Sequence, residues 1–140
     1  MAFCAAGLAL SIWRNAWRRK KAGPLYPPFE ASEVLFTESR VSGHSDKNML
    51  TILGGAHNAL VITVLKDAVI IEPSFLKWMV PRGHNDLEHY IRKSDIVSVA
   101  SGSSFGRKTV EIKFKGEDTS ARTISLVVRN SEALLAALDA

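Results

Sequence analysis

Four histidines, His44, His57, His84 and His89, have the widest chemical reach in this 140-residue sequence. Two of them fall in HNDLEH, where His84, Asp86, Glu88 and His89 are all metal-capable types. Their spacing does not make a ligand set. In an extended chain Asp86 and Glu88 share one face and His89 takes the other. No HExxH-like pair is present to hold zinc on one helix face. The expectation is no metal centre, with these side chains acting as hydrogen-bonded polars. An alternative reading makes the chain a small soluble ligand-binding protein or enzyme using the His84–His89 region. That reading requires a polar pocket joining His84, Glu88 and a further histidine.

Other chemistry is weaker still. GSSFGRKT, residues 102–109, resembles a phosphate loop only in outline. Such a loop needs four residues between its glycines and then Gly-Lys-Ser/Thr. Here three residues intervene, and Arg107 precedes Lys108. The stretch reads as a loop between strands. His44, Ser45 and Asp46 are sequence neighbours, and a triad is a matter of spatial geometry. No G-x-S-x-G elbow occurs. The one thiol, Cys4, lies in an apolar stretch where burial keeps it unreactive. No catalytic residue and no cofactor are expected.

Charge is concentrated. The net +4 contains a run of five cations, Arg14, Arg18, Arg19, Lys20 and Lys21, with no acid among them. The remainder carries 13 basic and 14 acidic side chains. A nucleic-acid surface wants basic side chains spread over a folded face, so none is expected as a partner. Arg107, Lys108, Lys113 and Lys115 form the best candidate patch for an anionic ligand or lipid. Lys113 and Lys115 lie opposite Val110, Ile112 and Phe114, with Arg122 and Arg129 on the next strand and Glu111 and Glu117 as counter-charges. The first hairpin offers only Arg40 and Lys47. Phe75, Leu76, Trp78 and Met79 could present an apolar patch to a protein partner, or pack in the core.

The elements that must position these residues fall into three parts. Residues 1–21 read as an apolar helix closed by the basic cluster. Ala2 to Trp13 carry no charge, and Trp13 and Trp17 stand one turn apart at the boundary. Tryptophan and then Lys/Arg in this order suit a membrane anchor with a stop-transfer signal, leaving the rest in the cytoplasm. Trp13, Arg14, Trp17, Arg18, Arg19, Lys20 and Lys21 would meet the membrane interface. A cleaved secretory signal wants its charge before the apolar run. About twelve apolar residues reach only ~18 Å, against ~30 Å of hydrocarbon. The expectation is therefore a longer anchor of which this chain start shows the end. Residues 22–33 form a linker stiffened by Pro24, Pro27 and Pro28.

From Val34 onward, short apolar runs alternate with turn residues. Strands are predicted at 34–41, 49–53, 59–65, 68–72, 87–91, 95–100, 109–115 and 123–129, with further apolar residues at 75–80. Gly43 and the polar residues after it break the first run. Lys66-Asp67 makes a hairpin. Strict alternation in TVEIKFK and TISLVVR marks half-buried antiparallel strands. Asn130 or Ser131 caps a terminal helix with a Leu134, Leu135, Leu138 stripe. The single cysteine excludes an internal disulfide, and no Cys/His framework for structural zinc is present.

This order resembles the pleckstrin-homology-like plan over residues 34–140. The resemblance rests on SGHSDKNMLTILGGAHNALVITVLKDAVIIEPSF, DLEHYIRKSDIVSV and LVVRNSEALLAAL. It extends to bacterial PH-like and GRAM-like proteins that carry an N-terminal membrane anchor. It implies a mainly β fold: a two-sheet antiparallel sandwich or partly open barrel of about seven strands, capped by a C-terminal helix. It also implies a non-enzymatic binding or scaffolding module on an inner membrane, with a protein or lipid partner. Peripheral binding of anionic lipid by the domain itself is a further reading.

Overall fold

The computed structural model describes residues 2–46, 56–74, 88–104 and 106–140. Helix α1 spans Ala2–Ala22. Seven strands follow: β1 (Val34–Ser45), β2 (Ala56–Leu65), β3 (Ala68–Pro73), β4 (His89–Arg92), β5 (Ile96–Ser104), β6 (Arg107–Lys115) and β7 (Ala121–Val127). Helix α2, Ser131–Asp139, ends the chain. The predicted strand at 49–53 and the apolar patch of Phe75, Leu76, Trp78 and Met79 lie outside the described residues, as do His84 and Asp86.

The strands form one antiparallel sheet in the order β4-β3-β2-β1-β7-β6-β5. The two halves are hydrogen-bonded into a continuous sheet, so the expected pair of sheets is joined through β1. Its partners change along its length. Val34 to Gly43 pair with β2, and Ser42 to Ser45 pair with β7. Alternation decides the faces. Val110, Ile112 and Phe114 of β6 and Ile124 and Leu126 of β7 point inward, as their spacing predicts. They share one core with Leu60, Ile62 and Val64 of β2 and Val69 and Ile71 of β3. The halves therefore fold over each other, and His89 of β4 meets Phe114 of β6 edge-on at 5.4 Å between ring centroids.

Gly43 does not break β1. A Cβ there would stand 2.7 Å from Leu126 Cδ2 and 3.0 Å from the Ser125 carbonyl oxygen. Glycine lets β1 and β7 meet where the sheet turns. Residues 101–104 also depart from expectation. They are strand, with Ser101 paired to Val110 and Ser104 to Arg107. Gly106, at φ 75°, makes the turn that joins β5 to β6. The flat run of small residues could pair as well as loop, and the ladder to β6 decided it.

Helix α2 starts as its sequence predicts. The Asn130 side chain accepts a hydrogen bond from the Ala133 N–H. Leu134 and Ala137 enter the core, and Leu135 and Leu138 pack at its margin. Lys93 Nζ donates to the Ala137 carbonyl at 2.8 Å, satisfying one of the open carbonyls at the helix end.

A smaller cluster covers the outer side of the β2–β3 hairpin. Leu65, Ala68 and Ile70 are buried beneath Tyr26, Val34 and Tyr90. The linker thus lies on the domain through Tyr26.

Candidate functional site

Two surfaces combine charge with shape. The first is helix α1. At 3.6 residues per turn, Asn15 and Arg19 share one side, and Trp13, Trp17 and Lys20 share another. Arg19 Nη1 donates to both oxygens of Glu88, at 2.8 and 3.1 Å. Both side chains are nearly buried, at 9% and 8% exposure. Asn15 is buried on the same side. The opposite side is open: Trp13 is 67% and Trp17 53% exposed. Lys21 Nζ sits 5.0 Å from the Trp17 ring centroid, within cation–π range. Arg14, Arg18, Lys20 and Lys21 are exposed. Arg19 therefore leaves the group of cations that the sequence placed at one interface, because its guanidinium is turned into the domain.

Among the described residues, no helix is long and apolar enough to cross a membrane. The described part of α1 thus does not show the transmembrane helix expected from the sequence. The helix has 21 residues, but its apolar part ends at Trp13 and its last two turns hold the basic cluster.

Between α1 and the linker lies a cavity of about 680 Å³, lined by Trp13, Trp17, Leu25 and Tyr26 with Glu72 and Glu88 at its polar side. Tyr26 donates its hydroxyl to Glu72, 3.3 and 3.4 Å from the two carboxylate oxygens. Burial, then the charge and hydrogen bond of Glu72, raise the Tyr26 phenol above its ordinary value.

The second surface is the corner where β7 leaves β1. Ser39 pairs with Val61 and Val41 with Leu60, so Arg40 is an extra residue in β1. It is a bulge, and Arg40 sits at φ 59°. A non-glycine residue in the left-handed region costs roughly 1–2 kcal/mol. Opposite, the register slips again and Asn58 adopts φ 52°. Ser42 Oγ accepts the Asn58 N–H at 2.9 Å and takes the place of the lost ladder partner. A pocket of about 440 Å³ opens there, lined by Arg40, Ser42, Asn58, Arg107, Lys108 and Arg129 together with Val127 and Val128.

The predicted cationic patch is divided by this geometry. Arg107 and Lys108 begin β6 and line the corner. Lys113 and Lys115 are exposed further along β6. Lys115 lines a different groove, with His89, Arg92, Asp95, Glu117 and Arg122, where both charges mix. Sequence reading did not place Arg40 beside the pocket that Arg107 lines. Arg40 stands between Ser39 and Val41 in the sequence, which does not announce a bulge.

The remaining candidates do not assemble. His44 is exposed and Ser45 buried, on opposite faces of β1. Asp46 Oδ1 accepts the Thr123 N–H at 2.8 Å. Glu88 is held by Arg19, and His89 packs on Phe114. Among the described residues no group of three His, Cys, Asp or Glu side chains is placed to hold a metal.

Comparison with protein-family models and with curated protein sequences finds no match. Among solved structures, the chain is similar to the Vps36 N-terminal PH domain, with a TM-score of 0.52 at 17% identity. The match covers 82% of this chain and 86% of that chain. At that identity the likeness is one of fold, and the chain has a pleckstrin-homology-like fold.

Proposed function

We propose that this chain is a non-enzymatic binding and scaffolding module held at the cytoplasmic face of a bacterial membrane through α1. One observation carries the reading: Arg19 docks the helix on the domain through Glu88, and the rest of the helix bears the exposed Trp13 and Trp17 and four exposed cations. Tryptophan prefers the depth of lipid headgroups. Each Lys or Arg near an anionic leaflet adds about 1 kcal/mol. Two docked tryptophans and four cations suffice for association of a whole domain, with or without a longer apolar segment. Tethering then raises the local concentration of a weakly binding domain near its protein or lipid partner. The PH-like fold supports a binding role in preference to catalysis.

Cosedimentation of the full chain with phosphatidylglycerol vesicles tests the reading. Binding is expected at low salt, weakened by added salt and by Trp13→Ala with Trp17→Ala. Absence of binding at any anionic fraction, or binding unaffected by those changes, would reject the role of α1. Native protein found wholly in the soluble fraction after lysis would reject the membrane location.

A further inference from the structure

We infer that the cavity between α1 and the linker binds a small quaternary ammonium compound, held by aromatic faces beside the Glu72 carboxylate. The inference shares Trp13 and Trp17 with the membrane reading but does not rest on it. Three observations carry it.

The first is the wall. Trp13, Trp17, Leu25 and Tyr26 bound a cavity of about 680 Å³, a size ordinary for a small-molecule site. Three of those four side chains are aromatic. The face of an aromatic ring carries negative partial charge and attracts a cation, most strongly at tryptophan. Trp17 already shows this, since Lys21 Nζ stands 5.0 Å from its ring centroid. Both tryptophans are more than half exposed, so ring surface remains open to a second cation.

The second is charge. Glu72 and Glu88 line the polar side of the cavity. Arg19 holds Glu88 through both carboxylate oxygens. Glu72 is half-buried, and its carboxylate meets the Tyr26 hydroxyl with no cation paired to it among the described residues. A carboxylate drawn from water without a counter-charge is costly, and a bound cation relieves that cost. Tyr26 senses the same field. Its phenol is raised by burial first, then by the charge and hydrogen bond of Glu72, and also by the charge of Glu88. The two charge effects mark a negative potential at the cavity wall. Lys20 also lines the cavity and is exposed, and its charge opposes a cation there.

The third is hydrogen-bonding capacity. A primary ammonium brings three N–H donors that need acceptors. The two carboxylates already accept from Arg19 and Tyr26. A quaternary ammonium has no N–H and spreads its charge over its alkyl groups. It needs apolar and aromatic contact with a counter-charge nearby. The cavity offers both.

The test uses the full chain without vesicles. Choline is titrated while the Gly23 amide and the indole N–H groups of Trp13 and Trp17 are followed by nuclear magnetic resonance. Saturable shifts at these groups are expected. The uncharged carbon analogue of choline should bind roughly tenfold more weakly. Glu72→Gln keeps an acceptor for Tyr26 and removes the charge. Choline binding should fall by roughly tenfold in that variant, with an unchanged melting temperature. Trp17→Leu changes an exposed position and should weaken binding by roughly fivefold. Lys20→Gln should tighten it, because a like charge is removed. No saturable binding overturns the site. So does equal binding of choline and its uncharged analogue, or undiminished binding by Glu72→Gln and Trp17→Leu. Glu72→Gln should leave association with phosphatidylglycerol vesicles unchanged, so failure of the membrane reading and failure of this site are distinguishable.

Discussion

Arg19 Nη1 reaches both oxygens of Glu88, joining α1 to the edge of the sheet by an ion pair that is nearly buried on both sides. Breaking such a pair by removing one partner costs about 3–5 kcal/mol, because a charge is left without compensation. Here the helix can leave the surface, so the cost is bounded by its docking energy. Glu88→Ala should therefore undock α1 before it unfolds the sheet. Faster hydrogen exchange at residues 16–22 with unchanged protection in β6 and β7 is the expected result. Exchange of Arg19 and Glu88 with each other should restore part of the protection.

Gly43 tests the crossing of β1 and β7. Gly43→Ala forces its Cβ against Leu126 and Leu60. Overpacking of this kind costs typically about 1–3 kcal/mol. Chemical denaturation should show that loss, and Leu126→Ala in the same chain should not add its full cost, since it removes the clash.

Tyr26 predicts alkaline behaviour. Its phenol holds its proton more tightly in the folded chain than in the unfolded one. The stabilisation is fully present below the ordinary phenol value of 10.0 and is lost as pH rises through the higher folded value. Tyr26→Phe should flatten that part of the stability profile. An unchanged slope above pH 10 would assign it to other groups.

The terminal helix gives two graded losses. Asn130→Ala removes the cap on Ala133 and should cost about 1 kcal/mol. Leu134→Ala empties a fully buried position and should cost about 2–5 kcal/mol. Thermal melts that reverse this order would contradict the packing of α2 on the core.

The strands at 109–115 and 123–129 and the helix after Asn130 were legible because their signals are local. A period of two in TVEIKFK, or a cap followed by strong helix formers, needs no knowledge of partners. Ser101 to Ser104 were not legible, since small residues pair or loop according to what lies beside them. Gly43 was misread for the same reason: a glycine that ends a strand and one that permits a crossing look identical in sequence. Within the candidate sites, the aromatic and basic side of α1 follows from residue spacing alone. The gathering of Arg40, Arg107 and Arg129 around one pocket does not.

The sequence alone determined the strands β6 and β7 with their inward faces, the helix after Asn130, and the placing of charge at residues 14–21, because these depend on neighbours a few positions away. Tertiary structure alone decided that Arg19 turns to Glu88 and that Arg40, Arg107 and Arg129 line one pocket. Those positions are brought together through strand register, and register here depends on three irregularities in the β1–β2 ladder and a glycine crossing. Packing of the whole sheet sets them, and no local pattern of residue types records where they fall.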